Sequence, residues 1–402
     1  MSKRNEKELK RMYFNNAATT WPKPEIVYET VDECFRNLNS PDRTHSAEGV
    51  QSTATMQTCR NEVADFFGIE NETRLVFLPS CTYALNLAIL GQHWSLGDKI
   101  IMSGLEHHAV SRPIRKLARD KGVEFKVSPY SQNRPIDLDW IEAELKMGGV
   151  KLVCCTMAAN VTGDIMPSHE LGHLCKQYDA RYLVDAAQSA GILPVNVEDL
   201  NADFMTFAGH KGLFGPPGIG GLFVRDGIEL DTLAEGGTGK DSGKHAMSGS
   251  FPSSFEVGTH NLLGITGVCA GVRWVKQAGL DSIREHEHTL LKRFVENIGD
   301  LPGIRLYGNS DLDQRTSVCS FVMNGVSPQK VAAWLAENHG IATRAGYHCA
   351  PLAHETIGTL PGEGTVRFSF GFSNTIEEVD SVSELLAQIP REQEARPVDF
   401  QI

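Results

Sequence analysis

Short apolar runs that stop abruptly at polar residues recur along the 402-residue chain. Between them lie longer stretches in which apolar residues return every three or four positions. The first kind reads as buried strands and the second as amphipathic helices. Strands are predicted at 74–78, 99–102, 123–128, 151–156, 181–184, 203–207 and 222–224. Helices are predicted at 24–38, 47–67 and 83–90, up to Lys121, at 137–147, and from Ser168 onward. That alternation predicts an α/β protein whose flat, doubly buried strands form a mostly parallel sheet, with ligands outside their carboxyl ends. Helices 262–276, 280–298, 328–338 and 377–389 alternate with strands 303–307, 317–323 and 365–370, which predicts a second, smaller α/β unit. The expected organisation is an extended segment at 1–23, a large domain at 24–260 and a small domain at 261–402. The Gly- and Ser-rich stretch 236–254 is expected to be a loop that is mobile or orders against a second subunit. The charged tail 390–402 is expected to be partly disordered.

Composition narrows the classes of function. A net charge of −12 and a pI near 5.6 argue against nucleic acid or an anionic membrane surface as the main partner. The charged N-terminus has no apolar stretch behind it and no later run approaches a membrane span, so a soluble cytoplasmic protein is expected. Nine cysteines without a C-x-x-C pair suggest neither a disulfide framework nor a Cys-rich zinc site.

Candidate chemistry gathers at the strand ends. Asp185 closes one apolar run, and Lys211 follows another through Gly209-His210, ahead of a Gly-rich turn at 214–221. An acid and an amine at one sheet edge suit pyridoxal phosphate, whose aldehyde takes a lysine and whose ring nitrogen needs an acid beside it. Gln188, one turn past the acid, would donate to the ring hydroxyl oxygen. The alternative is a structural ion pair with a surface lysine. Thr82 lies where a strand turns into a helix, an arrangement that binds phosphate or simply caps the helix. Adjacent His107 and His108 would point to opposite faces, so stacking of one imidazole on a flat cofactor fits better than a shared metal. Asn160 belongs to the same sheet end.

His169-Glu170-Leu171-Gly172-His173 has the spacing of a zinc protease helix. Lys176 and Asp179, however, stand where an extended metzincin motif needs Gly and His, and the segment also serves as a crossover helix between strands. Residues 341–354 read as a loop. Within it Cys349 lies beside His348 and near Arg344, a setting in which thiols act as nucleophiles. Arg367 sits in an apolar strand, which calls for a buried anionic partner, either a substrate carboxylate or a protein one.

At these residues the chain resembles the pyridoxal-phosphate enzymes of aminotransferase class V, and within it the cysteine desulfurases and selenocysteine lyases. The resemblance runs from Tyr13-Phe14-Asn15-Asn16-Ala17-Ala18 to Val366-Arg367-Phe368. It is most specific at Glu106-His107-His108, Asp185-Ala186-Ala187-Gln188, Gly209-His210-Lys211 and Arg344-Ala345-Gly346-Tyr347-His348-Cys349. It implies the type I pyridoxal-phosphate fold and a homodimer with its site at the subunit interface. By resemblance Lys211 looks like the Schiff-base lysine, Asp185 the pyridinium partner, Gln188 the ring-oxygen donor and His107 the stacking imidazole. Thr82 and His210 look like phosphate ligands, with Cys81 in the same turn and Thr259 matching a ligand from the neighbouring subunit. Asn160, Arg344 and Arg367 match substrate-binding positions, and Cys349 matches the persulfide-forming nucleophile.

Three departures stand out: Ala208 replaces a common Ser before Gly-His-Lys, Cys81 replaces a hydroxyl or small residue in the phosphate turn, and Pro351-Leu352-Ala353-His354 differs from the best-characterised desulfurases. The activity implied is conversion of L-cysteine to L-alanine with sulfur held on Cys349 and passed to an acceptor protein, with no metal involved. Selenocysteine lyase, carbon–sulfur lyase, an aminotransferase with no covalent role for Cys349, and a non-catalytic sulfur carrier are the alternatives.

Overall fold

Runs such as Leu-Val-Phe-Leu at 75–78 and Phe-Met-Thr-Phe-Ala at 204–208 are buried at every position, as strands covered on both faces must be. The computed structural model describes residues 11–238, 245–247 and 249–389. The N-terminal ten residues, the tail from 390 and part of the Gly- and Ser-rich loop fall outside them.

In chain order the strands are β1 (Met12–Tyr13), β2 (Leu75–Leu78), β3 (Lys99–Met102), β4 (Glu124–Val127), β5 (Val150–Thr156), β6 (Arg181–Asp185) and β7 (Phe204–Ala208). They continue with β8 (Gly220–Val224), β9 (Ile304–Tyr307), β10 (Val318–Met323), β11 (Ile341–Ala342), β12 (Arg344–Gly346) and β13 (Thr365–Ser369). The large sheet has seven strands in the order β2-β8-β7-β6-β5-β3-β4. Only β8 runs against its neighbours β2 and β7; from β7 to β4 the pairing is parallel. The small sheet is antiparallel, in the order β12-β13-β10-β9. The α/β architecture with a large, mostly parallel sheet is therefore as expected.

β1 pairs with β11, and Phe14 is buried in the small domain's core against Phe368 and Phe370. The N-terminal segment thus belongs to that domain at Phe14 and crosses to the large one within a few residues.

Three readings are corrected. Helix Leu262–Ala278, placed at the head of the small domain, packs on helices Glu25–Asn37 and Ala47–Phe66. Its Ile265, Val268 and Val272 join the large domain's core, because its apolar face matches theirs. The helix predicted from Tyr83 begins at Cys81, because the Ser80 hydroxyl accepts from the Tyr83 N–H (3.1 Å) and caps it. Residues 341–354 are not one loop: β11, β12 and helix Pro351–Thr356 lie within them. Those strands are two and three residues long and exist through pairing with β1 and β13, so no local periodicity announces them.

Candidate active site

The parallel strands bring their carboxyl ends to one edge, and across β5, β6 and β7 Thr156, Asp185 and Thr206 stand in register. Over that edge lies a cavity of about 220 Å³ whose walls include Ser80, Thr82, His107, Asn160, Asp185, Gln188, His210, Lys211, Arg344, His348 and Arg367. All the residues matched to cofactor or substrate roles except Thr259 and Cys349 line it, with Ala17 and Ala18 of the N-terminal segment forming part of the wall. Thr259 is exposed and lines a separate hollow with Phe77, Pro79 and Asn261. Cys349 is the exposed one among nine free cysteines.

On the floor, an Asp185 oxygen accepts from the Ala187 N–H (2.9 Å) and lies 3.6 Å from the Cys81 thiol. Cys81 also reaches Thr206 Oγ1 (3.4 Å). The Cys81 thiol therefore packs against the acid while the residue opens the helix and lines the cavity beside Thr82. Burial raises the Asp185 carboxyl, opposed by the Ala187 amide and by Lys211. Burial also lowers the Lys211 amine, opposed chiefly by Asp185. Gln188 donates to the Ala17 carbonyl (3.0 Å), which fixes its amide at the wall.

His107 caps helix His108–Lys121, its Nδ1 accepting from the Ala109 N–H (3.0 Å). Burial first, then Lys211, brings the imidazole down to about 3, so it is neutral at physiological pH with its proton on Nε2. Glu106, beside it, is fully buried. Its Oε1 accepts from the Ser103 hydroxyl (2.6 Å) and the Thr156 N–H (2.8 Å), tying the ends of β3 and β5. Burial raises it to about 8, so it is mostly protonated at neutral pH.

At the other end of the cavity Thr82 occupies the first turn of helix Cys81–Leu90, ahead of the first intrahelical bond, from Ala84 N–H to the Ser80 carbonyl (3.1 Å). Because Ser80 is the cap, Thr82 is not needed as one. His210 has a buried Nδ1 without a partner among the described residues, and burial brings its imidazole down to about 4. Unsatisfied amides, a hydroxyl and an unpartnered imidazole at a helix start suit a phosphate. An amine and a carboxylate deeper in the same cavity suit the aldehyde and ring nitrogen of pyridoxal. The residues present therefore fit pyridoxal phosphate.

The small sheet supplies the roof. Arg344 on β12 and Arg367 on β13 are directly opposite each other. Arg367 is wholly buried and donates to the Asn160 carbonyl (2.8 Å) and Asn15 Oδ1 (3.1 Å), while its Nε has no partner. No carboxylate among the described residues pairs with it. Burial and the facing Arg344 bring the guanidinium down to about 9. The protein salt bridge considered for Arg367 is thus replaced by neutral acceptors, and Asn15 is a partner that a lone polar residue in an extended lead-in does not announce. Arg344 does not stop at the cavity: its Nη2 donates to Cys349 Sγ (2.9 Å). His348 also lines the cavity, held by Thr365 Oγ1 (2.9 Å).

The zinc-like histidines point elsewhere. His169 meets the Asp199 carbonyl (3.3 Å) and His173 meets Asn201 (3.3 Å), both on an exposed face. No helix among the described residues is long and apolar enough to cross a membrane.

Comparison with known proteins agrees with this geometry. The family model for aminotransferase class-V matches residues 12–382. A probable cysteine desulfurase from Pyrococcus abyssi is 36% identical over 391 residues, covering 94% of each chain. Another, from Mycolicibacterium paratuberculosis, is 35% identical over 92% of this chain, which spans about half (54%) of that relative's length. The apo structure of a cysteine desulfurase from Thermococcus onnurineus NA1 superposes with a TM-score of 0.88 at 34% identity, covering 94% of both chains. The likeness extends over both sheets, so the fold is the type I fold that the motifs imply. With the match running from β1 to the last helix, the chain belongs to the aminotransferase class-V family.

Proposed function

We propose that the protein is a pyridoxal-phosphate-dependent cysteine desulfurase that converts L-cysteine to L-alanine and holds the sulfur as a persulfide on Cys349. The observation that carries this reading is the 2.9 Å contact from Arg344 to Cys349 Sγ, made by a residue that also lines the cavity of Lys211 and Asp185. It puts a thiol and a positive charge together at the mouth of a site built for an amino acid.

Lys211, Asp185 and His107 would hold pyridoxal phosphate, which would supply a sink for the electrons left on the substrate's Cα when its proton leaves. Asp185 would hold the ring-nitrogen proton, and Gln188 would donate to the ring hydroxyl oxygen. Thr82 and His210 would hold the phosphate, with Thr259 added from a second copy in a homodimer. Arg367 takes the substrate carboxylate in a fork, beside Asn160. Lys211 removes the Cα proton, the task for which an amine made less basic by burial is suited. His107, neutral and carrying its proton on Nε2, would stack on the ring and has a proton to give.

The Cys349 thiolate then attacks the substrate sulfur. An S–S bond forms, and the substrate C–S bond breaks with its electron pair going to Cβ. That carbon takes a proton to become the methyl group, and Lys211 returns to Cα the proton it took, which completes alanine. Arg344 stands against Cys349 Sγ, where its charge favours the thiolate before attack and the persulfide anion once the outer sulfur loses its proton. The exposed position of Cys349 suits transfer of the sulfur to an acceptor protein in the cytoplasm.

The test is alanine and sulfide formation from cysteine by wild type and Cys349→Ala. Loss in the variant is expected. Undiminished activity would reject the persulfide route in favour of a lyase or transaminase. Borohydride reduction of the coloured protein should leave its label on Lys211, and a colourless protein that takes up no pyridoxal phosphate would overturn the whole reading.

A further inference from the structure

His348 and Cys349 both have positive φ, 49° and 61°. Two successive residues with side chains in the left-handed region are strained and persist only where their surroundings hold them. Backbone contacts do part of this. Asn160 donates to the His348 carbonyl (2.8 Å), the His108 N–H to the Cys349 carbonyl (2.8 Å), and the Ala350 N–H to the Tyr347 carbonyl (2.8 Å).

The rest comes from the stretch that follows Cys349, helix Pro351–Thr356 and the turn after it. His354, on helix Pro351–Thr356, is wholly buried. Its Nδ1 bonds Thr359 Oγ1 (2.6 Å), and its carbonyl accepts from the N–H groups of Thr359 (2.8 Å) and Leu360 (3.1 Å). Its ring lies 5.5 Å from Tyr347, edge-on, and 5.5 Å from His348. Tyr347 in turn donates to the Gly362 carbonyl (2.5 Å) and His348 meets Thr365. A single imidazole therefore stands between the two residues that precede Cys349 and the turn that returns to β13. Burial keeps that imidazole neutral, at about 4, so it serves as a fixed hydrogen-bonding wedge rather than a charge.

We propose that His354 is a positioning residue for Cys349: tied to Thr359, its ring holds His348 and Cys349 in the left-handed conformation that sets Sγ against Arg344. The inference rests on the reading of Cys349 as the sulfur-accepting nucleophile.

Alkylation of Cys349 by iodoacetamide in the cofactor-loaded protein, followed on its peptide by mass spectrometry, reports on the thiol without requiring turnover. His354→Ala and Thr359→Val each slow it, by roughly tenfold if the displaced sulfur loses one charge-assisted bond, while the visible cofactor band persists. His354→Asn, whose amide still reaches Thr359, restores most of the rate. In an Arg344→Lys background His354→Ala adds little, because the contact it serves is already gone. A rate in His354→Ala equal to or above wild type, or the same further loss in the Arg344→Lys background, overturns the proposal. Failure of the wild type to form alanine from cysteine would instead overturn the desulfurase reading and leave the alkylation result standing.

Discussion

Arg367→Lys separates a substrate-binding guanidinium from a structural one. The side chain is completely buried, its two bonded nitrogens meet only neutral oxygens, and its Nε is unpartnered. A buried charge with no counter-ion is costly, and the facing Arg344 adds repulsion, so the site is short of one anion. A substrate carboxylate would supply it through two parallel bonds. Lysine keeps the charge and can keep the bond to the Asn160 carbonyl, but it loses the fork. One hydrogen bond to a charged group is worth about 1.5–3 kcal/mol, which corresponds to roughly 10- to 100-fold in affinity. The substrate concentration for half-maximal alanine formation should rise by that factor in the variant, with the cofactor colour retained. If the variant instead loses colour or fold while the surviving fraction binds substrate as before, Arg367 is structural and the carboxylate is held elsewhere.

Two further predictions concern stability and the cofactor cradle. Glu287 is buried against the Ser317 hydroxyl (2.7 Å), and burial raises it from 4.5 to about 7. Its stabilising contribution is therefore complete below pH 4.5 and is lost as pH rises through 7, by about 3 kcal/mol. Glu287→Gln, which cannot ionise, should gain up to that much relative to wild type between pH 5 and 8 in urea unfolding, and parallel pH dependence in the two proteins would refute this. At Gly220 an added Cβ would come 2.6 Å from the Cys81 nitrogen and 2.7 Å from the Phe207 carbonyl oxygen. Gly220→Ala should cost about 1–3 kcal/mol, lower the melting temperature and weaken cofactor binding through the displaced start of helix Cys81–Leu90. An unchanged melting temperature and cofactor affinity would show that the strand can give way.

What the sequence made legible follows from what is local. Asp185 and Lys211 could be assigned to one edge because flat apolar runs that end in polar residues signal parallel strands, and such strands share a direction. Periodicity places the start of helix Cys81–Leu90 two residues late because it marks a helix's buried face, whereas the start is fixed by a single hydroxyl, that of Ser80. Thr206 left a usable signal, a polar residue inside an apolar strand, and it proved to be a partner of Cys81. No comparable signal exists for the facing of Arg344 and Arg367, the bond from Arg367 to Asn15, or the burial of His354. Each depends on pairing between segments far apart in the chain, where local propensity is silent.

The two halves of the chemistry come from different sheets: the acid and amine from the ends of β6 and β7, the arginines and the thiol from β12, β13 and the turn beside them. Their relative placement is held in large part by residues 13–20. Asn15 accepts from Arg367, Asn16 donates to the Ser369 carbonyl (2.9 Å), and the Ala17 carbonyl accepts from Gln188. Thr20 donates through its hydroxyl to the Lys211 carbonyl (3.0 Å) and through its N–H to the His210 carbonyl (3.2 Å). A stretch with no helical period and no charge of its own thereby fixes the carboxylate-binding group relative to the proton-transferring one. Its small residues, Ala17 and Ala18, are what let the backbone pass along the cavity wall while doing so.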